Sequence, residues 1–184
     1  MEFVKTDISG LFLIKPKKFE DTRGAFVKTF HQGTFLEQGL NSAFVESYYS
    51  VSKKDVIRGM HFQTPPHEHE KLVYVPCGSI MDVVLDIRKN SPTYGKYVTQ
   101  MLNAENGYMF YIPKGCAHGF LSLENDTIVT YMQTSMYAGD HDEGIRYDSF
   151  GFDWNVPLPE LSSRDRSFID FESFVSPFRE RKEK

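Results

Sequence analysis

Cysteine is scarce: Cys77 and Cys116 are the only two in 184 residues. Two thiols cannot staple a domain of this size, which excludes a disulfide framework and leads to the expectation of free thiols in a cytoplasmic protein. No apolar run of about eighteen residues occurs, so a membrane-spanning helix is excluded. No cationic stretch leads into an apolar one near the start, so no secretory leader is expected. Surplus positive charge is missing as well. The 21 Lys and Arg against 25 Asp and Glu leave a formal charge of −4, which offers no footprint for nucleic acid or an anionic membrane. A small molecule is the expected partner, bound by one domain covering residues 1–184.

Long helical patterns are also lacking. Glycine and proline punctuate short β-branched and aromatic segments, among them "FLIKPKKF", "GAFVKTF", "AFVESYYSVS", "KLVYVPCG", "SIMDVVLDI", "YVTQMLN", "YMFYIP", "HGFLSL" and "TIVTYMQT". Several alternate, as Ile80, Asp82, Val84 and Asp86 do against Met81, Val83, Leu85 and Ile87, the period of a strand. "QGTFLEQGL" reads as a helix and "SSRDRSFI" as a short helical turn, too little for alternating βαβ units. The pattern predicts an all-β, mainly antiparallel fold, a cupin-type jelly-roll barrel or sandwich with a few short helices. "KNSPTYGK" and "NAENGY" read as turns between strands. From about residue 172 the chain is expected to be a loosely held tail.

The densest chemistry lies in "GMHFQTPPHEHEKLVYV", residues 59 to 75. His67 and His69 form an H-x-H pair, and "PKGCAH" supplies His118. On neighbouring strands these three are a possible metal set for a metal-dependent cupin isomerase or oxygenase. A ligating glutamate is missing, because the positions three to five after His69 are Leu72, Val73 and Tyr74. The two prolines of "TPPHEH" favour an extended loop. The expectation is therefore no metal, with "HEH" a bystander loop.

The stretch "VIRGMHFQTPPHEHEKLVYVPCGSIMDVVLDIRKNSPTYGKY" resembles the core signature of the dTDP-4-dehydrorhamnose 3,5-epimerase family: R-G-x-H-x-Q, P-P, K-L-V, a glycine turn, D-V-x-x-D-x-R and S-P-T-x-G. The likeness continues through "RGAFVKTF", "IPKGCAHGFL", "TYMQTSMYA", "EGIRYD", "DW" and "LSSRD" and spans about residues 10 to 168. What the resemblance implies is a cupin-type homodimer without metal or cofactor. Such a protein epimerises C3 and/or C5 of a nucleotide-linked 4-keto-6-deoxy sugar in deoxysugar biosynthesis for surface polysaccharide.

The residue types suit that chemistry. A carbon beside a ketone gives up its proton when a base sits over it and a cation or donor stabilises the enolate oxygen. By resemblance His61 is the base, Asp165 the carboxylate that orients it, Lys71 the cation near the C4 oxygen and Tyr131 the acid that returns a proton from the opposite face. Arg58, His118 and Arg23 match substrate-contacting positions, the arginines suited to phosphate. Gln63 closes the R-G-x-H-x-Q element and is expected to bind substrate too.

Three departures from the pattern concern binding. Lys28 stands where the family has a substrate-contacting glutamate. Glu46, Ser47 and Tyr48 replace Q-D-N at positions expected on the nucleotide side, and Asp142 replaces a glutamate. The resemblance to a dTDP enzyme therefore leaves GDP- or CDP-linked hexoses or heptoses open. A single-centre epimerase or a keto-isomerase of the same fold is also open.

Overall fold

The computed structural model describes residues 1–179. Among the described residues, thirteen strands and two short α-helices follow one another. The first four strands are β1 (Glu2–Lys5), β2 (Phe12–Lys15), β3 (Lys18–Asp21) and β4 (Gly24–Val27), followed by α1 (Gln32–Glu37). Next come β5 (Glu46–Ser52), β6 (Ile57–Gln63), β7 (Lys71–Cys77), β8 (Ser79–Asp86), β9 (Tyr97–Asn103), β10 (Met109–Ile112), β11 (Cys116–Ser122) and β12 (Thr127–Gln133). The last are β13 (Asp142–Gly144) and α2 (Ser163–Arg166).

A six-stranded sheet runs β1-β2-β10-β7-β12-β5 and a five-stranded sheet runs β13-β6-β11-β8-β9, while β3 and β4 form a separate hairpin. Every ladder between these strands is antiparallel. The sandwich is the jelly roll that the strand pattern predicts.

Central strands read as nearly unbroken apolar runs because both faces are covered. Alternate residues such as Val73, Val75, Val84, Phe120 and Val129 fill the space between the sheets. The other parity of the five-stranded sheet, including Ile57, Val83 and Leu85, packs against Phe150, Trp154, Leu161 and Phe178 from the C-terminal third. Outside the six-stranded sheet, Ile14, Leu72 and Met109 meet Phe35 of α1. Phe35 is fully buried, with Phe3, Phe30 and Tyr111 edge-on to it at 5.4, 5.0 and 6.1 Å. Truncating such a ring costs about 3–5 kcal/mol.

The helix and turn expectations hold, since "QGTFLEQGL" contains α1, "SSRDRSFI" contains α2, and the two turn clusters join β8 to β9 and β9 to β10. The tail expectation is corrected. Phe178 is buried, the Ser176 hydroxyl donates to the Ile87 carbonyl, and Phe174 packs on Phe62. Phe171, Phe174 and Phe178, three and four residues apart, anchor this segment, although none lies in a strand. Residues 180–184 of the expected tail lie outside the described residues.

One backbone contact brings β6 and β11 unusually close. Gly59 has φ +136°, and a Cβ there would lie 2.5 Å from the Cα of Gly119. Only glycine fits on either side of such an approach. The ladder shifts register between His118 and Phe120. This junction sets the wall described next.

Candidate active site

A cleft of about 360 Å³ opens between the two sheets. The five-stranded sheet contributes His61 from β6 and His118 from β11, direct cross-strand partners. The six-stranded sheet contributes Lys71 from β7, Tyr131 from β12 and Tyr48 from β5. A ligand in the cleft would have imidazoles on one side and an ammonium and phenols on the other.

Each imidazole rests on a carboxylate. His61 Nε2 lies 2.9 Å from Asp165 Oδ1, and the Gly59 N–H donates to the other oxygen at 3.2 Å. Asp165 is held by α2, whose N-cap Ser162 accepts from the Asp165 N–H at 3.0 Å. Burial pushes the Asp165 carboxyl up, but the hydrogen bonds from His61 and Gly59 outweigh it and hold the group below the usual carboxylate range. An ionised carboxylate only accepts, so Nε2 carries the hydrogen and Nδ1 presents a lone pair. His118 Nε2 lies 3.0 and 2.9 Å from the two oxygens of Asp82, and this pair is almost completely buried.

Lys71 is 9% exposed. Burial lowers its pKa from 10.5 to about 8, with Asp142 and Asp82 opposing. Tyr131 is 7% exposed, and burial raises its phenol well above the ordinary tyrosine value. Tyr48, itself 42% exposed, stacks on it, and partial desolvation with the nearby Glu46 and Asp142 charges raises its phenol above the ordinary tyrosine value.

Of the expected binding residues, Arg58, Gln63, Glu46, Tyr48, His118 and Asp142 line the cleft. Arg58 Nε donates to Ser52 Oγ at 3.0 Å, which fixes it at the far end of β5. Asp142 pairs with Arg164 at 2.8 Å. Gln63 has its amide engaged in protein contacts: Oε1 accepts from the Ala138 N–H at 2.8 Å, and Nε2 donates to the His67 carbonyl at 2.8 Å. Glu46 Oε2 accepts from the Tyr137 N–H at 2.6 Å and from Gln133 Nε2 at 3.1 Å. Gln63 and Glu46 thus hold the 135–138 loop at the rim from two sides.

Three expected residues are not brought to the cleft. Arg23 sits on the exposed β3–β4 hairpin, paired with Asp21 at 2.6 Å, and Lys28 follows that hairpin on the surface. Ser47 has the opposite parity to Glu46 and Tyr48, and its hydroxyl donates to the Tyr131 carbonyl at 3.0 Å. The register places Glu46 and Arg58 towards opposite ends of the cleft wall. Glu46 is opposite Gln133, itself opposite Lys71, whereas Arg58 reaches the Ser52 end. Six residues of strand separate Glu46 from Ser52, roughly 20 Å.

The "HEH" triplet divides. His67 is exposed and lies against His141, ring centroids 4.5 Å apart. His69 is buried and lines the cleft, its Nδ1 3.1 Å from Ser135 Oγ. Burial, with Lys71 and Lys114 nearby, drives its pKa down to about 2. For His69 the bystander expectation is therefore corrected. Among the described residues, no group of three or more His, Cys, Asp or Glu is arranged to hold a metal ion.

Sequence reasoning overlooked Ser50, Gln133, Tyr137 and Arg164 in the lining, and Asp82 behind His118. Asp82 left a signal: a carboxylate in phase with Ile80 and Val84 on a core-facing strand needs a buried partner.

Comparison with known proteins matches the family model described as dTDP-4-dehydrorhamnose 3,5-epimerase over residues 5–173. The Methanothermobacter thermautotrophicus dTDP-4-dehydrorhamnose 3,5-epimerase is 41% identical, over 90% of this chain and 92% of its own. The Legionella pneumophila dTDP-6-deoxy-D-glucose-3,5-epimerase, solved with dTDP-4-keto-L-rhamnose, superposes with TM-score 0.93 at 33% identity, covering 98% of both chains. The Bacillus anthracis dTDP-4-dehydrorhamnose 3,5-epimerase, solved with TDP and PPi bound, gives TM-score 0.89 at 35% identity over 92% of this chain and 98% of that one.

Fold, cleft and relatives together define a sugar-nucleotide isomerase built on a cupin-type jelly roll. The chain belongs to the dTDP-4-dehydrorhamnose 3,5-epimerase family.

Proposed function

We propose that the cleft epimerises a dTDP-linked 4-keto-6-deoxy hexose at C3 and C5 by proton removal and return. The carrying observation is that His61 and Tyr131 project from opposite sheets into one cleft. Inversion requires a base on one face of the sugar and an acid on the other. His61 Nδ1 takes the proton beside the ketone, Asp165 stabilises the imidazolium through Nε2, and Lys71 opposes charge on the C4 oxygen. Tyr131 then delivers a proton from the other side and regains one from water.

Arg58 is assigned to the diphosphate, which orients the sugar with C4 towards Lys71 and Glu46. His118 and Asp142 flank the sugar. On this orientation Glu46 and Tyr48 face the sugar, so their departure from the family pattern does not argue against thymidine. The relatives' names and their dTDP, TDP and sugar ligands support the same base.

Arg23 and Lys28 are assigned to the site of a second copy. The β3–β4 hairpin that carries Arg23 also exposes Phe19 and Phe26, 52% and 60% accessible, a surface suited to a homodimer.

Calorimetric titration of the purified protein with dTDP, CDP and GDP tests the substrate class. Tightest binding of dTDP, weakened at least tenfold by Arg58→Ala, is expected. Preference for GDP or CDP would overturn the thymidine assignment.

A further inference from the structure

Tyr131 is held from several directions. Tyr48, its direct partner in the β5–β12 ladder, lies over its ring with centroids 4.8 Å apart and planes 20° from parallel. His118 meets the ring edge-on at 6.1 Å. The Ser47 hydroxyl holds the Tyr131 carbonyl at 3.0 Å. The Tyr131 ring is thus gripped on a face and an edge, and its backbone is tied to the same β5 segment that supplies Tyr48.

β5 ends its sheet. Without a large side chain at position 48, the Tyr131 face turned towards β5 would meet solvent, and the phenol would be free to swing about χ1. A planar enolate has no stereochemical memory. The proton that reaches it first decides between inversion and return to the starting configuration, so the aim of the donor and the exclusion of water matter more than the donor's presence.

We propose that Tyr48 is a positioning residue for Tyr131: its stacked ring fixes the phenol's aim and shields it from water, so that the enolate carbon facing Tyr131 is reprotonated with inversion. This rests on the reading of Tyr131 as the acid. In the step, the Tyr131 O–H bond breaks as the new C–H bond forms, the enolate electrons supply that bond, and the phenolate is reprotonated by water. Tyr48 exchanges no proton. Its ring acts, so phenylalanine should serve in its place.

The test uses the full-length protein in deuterated water with dTDP-4-keto-6-deoxyglucose. NMR and mass spectrometry give, at C3 and C5 separately, the ratio of inverted product to substrate that exchanged its proton but kept its configuration. Total exchange, driven by His61, is the internal reference. Tyr48→Leu should lower the ratio about tenfold at the carbon that Tyr131→Phe also affects, the scale of a lost aromatic pair, and leave the other carbon alone. Tyr48→Phe should restore the ratio, whatever its overall rate. A wild-type ratio in Tyr48→Leu beside a lowered one in Tyr131→Phe would overturn the positioning role and leave the mechanism standing. Equal loss in Tyr48→Phe and Tyr48→Leu would assign the effect to the hydroxyl and overturn the stacking account. Normal inversion in Tyr131→Phe would remove the acid itself. Circular dichroism checks folding, and Tyr48→Ile replaces the leucine variant should that one not fold.

Discussion

His61 and His118 stand opposite each other in the β6–β11 ladder, and each sets its Nε2 against a carboxylate. Their exposure separates them: the His61 side chain is 29% accessible and that of His118 is 4%. Of the two rings, His61 has the room to meet a C–H bond. His118, pinned between both oxygens of Asp82, is suited to a fixed hydrogen bond.

His61→Ala should therefore abolish exchange of the sugar's α-protons, whereas His118→Ala should chiefly raise KM. Asp165→Asn should keep the fold and lower kcat about 100-fold or more, because an amide can hold the imidazole in the wrong tautomer. Steady-state kinetics on the three variants check this. Wild-type exchange in His61→Ala would remove it as the base.

Lys71 couples activity to pH. The proposed mechanism needs its ammonium charged, and its pKa is about 8, so kcat/KM should fall as pH rises through about 8. Arginine stays charged throughout this range, so Lys71→Arg should move that limb upward. A pH–rate profile of both proteins decides the point.

The same shift is a statement about stability. The folded chain loses this proton near pH 8, whereas unfolded lysine keeps it to 10.5. The unfolded state therefore binds more protons between those values, so this group makes stability rise with pH across the window. Below pH 8 the cost of the buried charge is fully present. Lys71→Met should raise Tm at pH 7, flatten the rise, and cost about 100-fold or more in kcat. Thermal melts from pH 7 to 10 test both signs.

Asp86 shares its motif with Asp82 but serves the scaffold. Its oxygens accept from Arg88 Nε at 2.9 Å, and from Ser91 Oγ and Thr93 Oγ1 at 2.6 Å each. Removing a buried carboxylate from beside its arginine costs about 3–5 kcal/mol. Asp86→Ala should show that loss in urea unfolding, while the folded fraction retains substrate KM.

Gly59 and Gly119 leave no room for a methyl group at their crossing. Gly59→Ala should destabilise the protein and displace both His61 and the N–H that holds Asp165. Loss of stability together with loss of kcat is expected, and calorimetry paired with kinetics would detect it.

Much of the fold was legible because the strands are short, punctuated and strongly β-prone, and α1 is bounded by turn chemistry. The tail was misread because Phe174, Ser176 and Phe178 are anchored by tertiary packing, without local periodicity. In the cleft, His61, Lys71 and Tyr131 were singled out through the resemblance to the family's motifs, and the structure brings all three to one cleft. Arg23 and Lys28 do not reach this cleft, because order along the chain does not say which way an exposed hairpin turns. His69 was misread because neighbouring prolines mark a loop but do not say whether it turns inward. Which cleft residues share a row was not legible for Glu46 and Tyr48, because only the β5–β12–β7 register shows it.

The most direct measurement is deuterium uptake by dTDP-4-keto-6-deoxyglucose in deuterated water, with wild-type protein beside His61→Ala. The account predicts uptake with inversion at C3 and C5 by the wild type and none by the variant. No uptake by folded wild-type protein, or equal uptake by both, would contradict it.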